Sequence, residues 1–274
     1  MRRAWWMFLA MAACATTGPT GPTEPRSARI WPIVLSGADG LAAFGPRDEG
    51  RFGLDRLHVV SADAGDAAGA TRSFFRVSYP KGSTSPADRG APGGGAQFLG
   101  VGPAAPADHL FLRYRVRFAP GFEFVKGGKL PGFYGGRVIS GGHIPDGTNG
   151  FSTRFMWRAG GAGELYAYLP GSVDWGTSLG RDRFRFQPGA WHCLEQEVAL
   201  NAPGRADGVA RVWLDGRDVF AIDTLTFRTV PTLHIEGVFF STFFGGHDAS
   251  WAPPADTHVD FADFAVGERR VGCD

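Results

Sequence analysis

The stretch GFSTRFMWRAGGAGELYAYLP, residues 150–170, decides the fold. Successive side chains of a strand point to opposite faces. Phe151, Thr153, Phe155 and Trp157 therefore share one face, and Ser152, Arg154, Met156 and Arg158 the other. In the second half Leu165, Ala167 and Leu169 lie opposite Glu164, Tyr166 and Tyr168. The linker AGGAG (159–163) is short enough for a hairpin. Pairing Arg158 with Glu164, Met156 with Tyr166 and Arg154 with Tyr168 sends both apolar sets into one core, whereas a one-residue slip mixes the faces. The other face then gathers Ser152, Arg154, Tyr166 and Tyr168. Solvation alone explains such alternation, but two tyrosines beside an arginine also suit a sugar-binding cleft.

Working outward, strand-like runs recur from residue 54 to 266, among them RSFFRVSY (72–79), HLFLRYRVRF (109–118), WHCLEQEVAL (191–200), IEGVFFSTFF (235–244) and THVDFADFAV (257–266). Turn-rich segments such as NAPGRADG (201–208) separate them, and no long window has a helical period. Strands without intervening helices form antiparallel sheets, so the expected fold is all-β, a two-sheet jelly-roll sandwich with a concave face. The chain holds 41 Gly and 19 Pro in 274 residues. That is roughly twice the usual glycine share, without a collagen period, and fits many tight turns. Phe (23), Trp (8) and Tyr (5) supply ample core area. The loop KGSTSPADRGAPGGG (81–95) is long enough to rim a binding face.

The formal charge of +1 gives no global preference for nucleic acid or anionic membrane, so anion binding has to come from a local patch. Residues 1–14 carry Arg2 and Arg3, a short apolar run and the lipobox-like MAAC, which points to export. Cys14 is the expected lipidated residue of a bacterial lipoprotein, with plain secretion after a small residue as the alternative. Residues 15–30 read as a flexible tether and 31–274 as one domain, expected to be a monomer. In an oxidising compartment Cys193 and Cys273 have the chance to pair and pin the C-terminus to a central strand.

KGGKLPGFYGG (126–136) places Lys126 and Lys129 among four glycines and a proline, and reads as a glycine-shaped loop or strand edge. It lacks the spacing of a phosphate-binding loop. Lysine, arginine and paired tyrosines suit one reaction in particular, β-elimination at a uronate. Arginine offers a planar fork to the carboxylate. Tyrosine serves the proton steps if cations lower its pKa toward neutrality, and lysine is either that cation or, desolvated, a base.

PGFEFVKGGKLPGFYGG (120–136), residues 150–170, WHCLEQEVALNAPG with GVARVWLDG (191–216), and FFSTFFGGHDASWAPPADTHVDFADF (239–264) together resemble polysaccharide lyase family 14, over about residues 105–266. The resemblance implies a jelly roll whose concave face binds an acidic polysaccharide, alginate or polyglucuronate, and cleaves it without a cofactor or metal. It places catalytic roles on Lys129, Ser152, Arg154, Tyr166 and Tyr168. Lys126, Arg158, Glu164, His247 and Trp251 are further candidates for contacting substrate. On this view Tyr166 or Tyr168 transfers protons while Lys129 lowers the tyrosine pKa. The alternatives are a non-catalytic carbohydrate-binding protein using the same face, or a glycosidase built on Glu195 and Glu197, which share a strand face. His258 and Asp260 are the one pair spaced to place two metal ligands on one face.

Overall fold

The computed structural model describes residues 28–35, 40–61 and 73–273, together with Met1. The proposed signal segment with Cys14, and most of the tether, lie outside the described residues. Fourteen strands, numbered in chain order, and four short 3-10 turns make up the regular structure of the described residues. All pairings are antiparallel.

One sheet runs β12 (Arg217–Leu225), β11 (Gly208–Leu214), β10 (Trp191–Ala199), β5 (His109–Phe118), β14 (Thr257–Gly267), β3 (Ser73–Tyr79) and β2 (Leu57–Ser61), with β1 (Ile30–Ile33) also paired to β14. The other runs β4 (Ala96–Val101), β13 (Ile235–Phe244), β6 (Gly127–Gly136), β7 (Gly150–Arg158), β8 (Ala162–Tyr168) and β9 (Thr177–Arg185). Chain neighbours are often not sheet neighbours, as β13 between β4 and β6 shows. Such crossovers between two stacked sheets are the mark of a jelly roll.

The core between the sheets is aromatic. Trp157 of β7 is fully buried, with its ring edge-on to Phe118, Phe122, Tyr79 and Phe244. Its indole N–H donates to the Phe124 carbonyl at 3.2 Å, so the large ring is buried without an orphaned donor. Thr153, on the same face, donates to Gln196 Oε1 of the facing sheet at 2.8 Å.

Three sequence expectations change. The segment around Lys129 is not a loop or strand edge: it is β6, an interior strand flanked by β13 and β7. Pro131 is accommodated because the register shifts between Leu130 and Gly132, a bulge where the missing N–H breaks no ladder bond. Gly128 is required because a Cβ there would sit 2.1 Å from Trp157 Cζ2. The β7–β8 register is displaced by two residues: Ser152 faces Tyr168, Arg154 faces Tyr166 and Met156 faces Glu164. Left-handed Gly160 and Gly161 close the hairpin over three residues rather than five. A slip of two keeps every side chain on its face, so the separation of faces survives. Strands β1, β4 and β9 were not anticipated, because they are short, glycine-containing or charged.

Candidate active site

Neighbouring strands carry the site. Lys129 of β6 lies opposite Met156 of β7, and Arg154 lies opposite Tyr166 of β8. Together they line a groove of about 530 Å³ on the outer face of the six-stranded sheet. Arg158, Tyr168, His247 and Trp251 line it too, as do Phe52, Gln97, Met156, Trp175 and Phe243. Ser85, Pro86 and Ala87 of the long 81–95 loop form part of the rim.

Lys129 is nine-tenths buried. Its Nζ is 2.8 Å from Met156 Sδ and 3.4 Å from the centre of the Tyr166 ring. Burial, followed by the nearby charges of Arg154 and Arg158, drives its pKa well below the ordinary lysine range, with Glu164 opposing. The tyrosine ring face also favours the ammonium, by about 2 kcal/mol when desolvated. That is less than the several kcal/mol of removing an ion from water, to which two neighbouring cations add. The balance therefore shifts the amine toward its neutral form.

Arg154 is 2 % exposed. Its guanidinium reaches β13, lying 4.5 Å over the Phe239 ring and donating from Nη1 to Ser241 Oγ at 3.0 Å. Ser241 in turn donates to Gln97 Oε1 at 2.9 Å. Arg154 Nε has no hydrogen-bond partner, and among the described residues no carboxylate pairs with this guanidinium. Burial lowers its pKa to about 10, so it stays cationic at neutral pH. A buried cation without a carboxylate partner favours an anion beside it.

The two tyrosine rings meet edge to face, with centroids 5.7 Å apart. Burial and then Tyr168 push Tyr166 up to about 12, against the charge of Arg158. This reverses the expectation that nearby cations bring a tyrosine toward neutrality: desolvation outweighs them. Tyr166 thus keeps its proton, while Lys129 is the group brought down. The Gly142 N–H donates to the Tyr168 hydroxyl at 3.3 Å, tying that tyrosine to the β6–β7 loop. Gly176 lies against both rings, where a Cβ would come within 2.7 Å of Tyr166.

The remaining candidates separate. Ser152 is fully buried and donates to the Ile139 carbonyl at 2.9 Å, fixing the β6–β7 loop from beneath rather than lining the groove. Glu164 is also fully buried, held by Arg158 at 2.6 Å with Arg181 at 3.6 Å. It places Arg158 at the groove. Lys126 stands outside the lining, bonded to Ser250 Oγ and 5.8 Å over the Trp251 ring. No periodic pattern marks Trp175, Phe52 or Gln97, which reach the groove from loops or from strand β4.

Other constellations lie elsewhere. Glu195, on β10 of the opposite sheet, is fully buried beneath the C-terminal tail, accepting from the Val271 and Gly272 N–H groups. It is not paired with Glu197, which accepts from the His109 Nε2–H at 2.8 Å. Cys193 and Cys273 are joined by a disulfide that holds this tail on β10. Asp260 is engaged by Arg76 and Arg117. Among the described residues no three His, Cys, Asp or Glu side chains cluster as metal ligands.

Fold and groove define the class: a β-jelly roll with a cationic, tyrosine-lined cleft across one sheet. The family model described as polysaccharide lyase 14 matches residues 67–264. The chain belongs to that family and is a polysaccharide lyase. A PL-14 alginate lyase from Aplysia kurodai is 31 % identical, with a TM-score of 0.73 over 86 % of this chain and 97 % of that one. The alginate lyase vAL-1 from Chlorella virus is 21 % identical, with a TM-score of 0.65 over 85 % and 98 % of the two chains. The endo-β-1,4-glucuronan lyase of the fungus Trichoderma reesei is 14 % identical at a TM-score of 0.56, over 90 % and 98 %, a likeness of fold. No curated protein matches the chain.

Proposed function

We propose that the chain cleaves a 4-linked polyuronate, alginate or polyglucuronate, by β-elimination in this groove. The observation that carries the proposal is a buried lysine–arginine pair without a carboxylate partner, set against protonated Tyr166. The likeness to the alginate lyase from Aplysia kurodai supports the substrate class.

Arg154, which lines the groove, receives the carboxylate at C5 with its guanidinium and spreads the charge that develops there. Neutral Lys129 takes the C5 proton. The electron pair forms the C4–C5 double bond, the C4–O4 bond breaks, and the Tyr166 hydroxyl protonates the departing O4. Tyr166 is chosen because Lys129 Nζ rests on its ring, which places base and acid side by side as the adjacent C5 and O4 require. Tyr168 positions the sugar and the β6–β7 loop. Arg158 adds charge for a neighbouring uronate.

A panel of polyuronides assayed for the ultraviolet-absorbing unsaturated uronate tests this. The wild type forms that product with at least one polymer, and Lys129→Ala binds the same polymer without forming it. Saturated ends, or binding with no chromophore, defeat the reading. The same proposal includes export with lipid on Cys14: Cys14→Ala releases the protein from the membrane fraction, and an unchanged distribution argues against the anchor.

A further inference from the structure

Trp175 and His247 belong to loops that leave the six-stranded sheet at opposite ends. The β8–β9 loop starts beyond Tyr168, where β8 meets Ser152 of β7. The β13–β14 loop starts beyond Phe244, which pairs with Gly128 at the other end of the sheet. Strands β6 and β7, bearing Lys129 and Arg154, lie between β13 and β8. Yet the two rings are in contact, with centroids 5.3 Å apart and planes tilted by 40°. The loops therefore meet across the catalytic face.

Hydrogen bonds fix both loops close to these two rings. Ser172 accepts from Leu169 N–H at 3.2 Å and bonds Thr177 Oγ1 at 2.9 Å. Beyond it, Val173 is 80 % and Trp175 45 % exposed. In the other loop the Asp248 side chain accepts from Ser250 N–H at 2.8 Å, next to His247. A half-exposed indole above a cationic floor offers an apolar ring face to the C–H face of a pyranose while the floor takes its carboxylate.

Resting on the polyuronate reading above, we propose that Trp175 and His247 form a clasp over the groove. The contact parts to admit an internal stretch of polymer, and Trp175 then packs on a sugar ring and positions the chain against Lys129. Trp175 is a positioning residue, acting on binding rather than on proton transfer.

The test uses the full chain with a polyuronate that the wild type cleaves. Trp175→Ala raises KM at least tenfold and leaves kcat within about threefold, while Trp175→Phe recovers most of the loss. In the Lys129→Ala background, calorimetry with an oligouronate shows a matching drop in affinity on adding Trp175→Ala. Unaltered KM and affinity in an active enzyme overturn the clasp alone, as does a kcat loss at constant KM. A wild type that forms no unsaturated product overturns the lyase reading and the clasp with it.

Discussion

Replacing Lys129 by methionine separates the catalytic demand on this residue from its structural effect. The two side chains are similar in length, so the groove wall is kept and no cavity opens. The substitution removes an amine that is nine-tenths buried beside two guanidinium groups. A buried polar group without full hydrogen bonding costs about 1–3 kcal/mol in proteins. Here its nearest partner is a thioether sulfur, a weak acceptor. Removing the amine should then stabilise the fold by about 1–3 kcal/mol, which for a domain of this size raises Tm by roughly 2–10 °C. The same change abolishes the base and should lower kcat by about 10²–10⁴-fold. Product formation and thermal melting on one preparation measure both. Retention of activity within tenfold removes Lys129 from proton abstraction. A lowered Tm shows that the amine stabilises the fold, and refutes the account of a group strained for catalysis.

The pH profile follows from the same shifts. If Lys129 is the base, its protonated form is inactive, so kcat/KM should fall as pH drops through its lowered pKa, with the alkaline side holding until Arg154 titrates at about 10. A rate that instead declines with rising pH between neutrality and about 9 would falsify the neutral-base assignment. Tyr166→Phe should cost about 10²–10⁴-fold in kcat, and Tyr168→Phe less than tenfold. Equal losses in the two variants, measured under saturating substrate, remove the distinction drawn between acid and positioning group. Reducing the Cys193–Cys273 disulfide frees a loop of 80 residues and the tail that satisfies Glu195, lowering stability by roughly 2–4 kcal/mol. Because β10 belongs to the opposite sheet, kcat should be unchanged below the new Tm, and a parallel loss of kcat at low temperature would contradict that separation.

Much of the site was legible because strand periodicity is strict. The parity of residues 151–158 and 164–168 alone puts Arg154, Tyr166 and Tyr168 together, and a two-residue error in register leaves that unharmed. Parity could not say that Ser152 is turned to the Ile139 carbonyl or that Glu164 is closed over by arginines. Those depend on what packs above the face, which loops decide. Glycine and proline made β6 look irregular, since their usual meaning is a turn. In the structure the same glycines make room for the Trp157 ring, at Gly128, and for the close approach of the β7 backbone, at Gly132.

The assignment of acid and base depends on a comparison invisible in sequence: charge against desolvation. Putting lysine and arginine near tyrosine suggests a lowered phenol pKa, because in water opposite charge would decide the matter. Lys129, Arg154 and Tyr166 occupy three adjacent strands, so each is walled in by the others' side chains. Burial then acts on all three in the direction of neutrality: the amine loses its proton readily and the phenol keeps its own. Only the guanidinium, starting from a much higher pKa, remains charged after the same penalty. On the proposed mechanism one buried environment thus supplies a base, an acid and a fixed cation from three residues that are all cationic or neutral at the outset, the set that elimination beside a carboxylate requires.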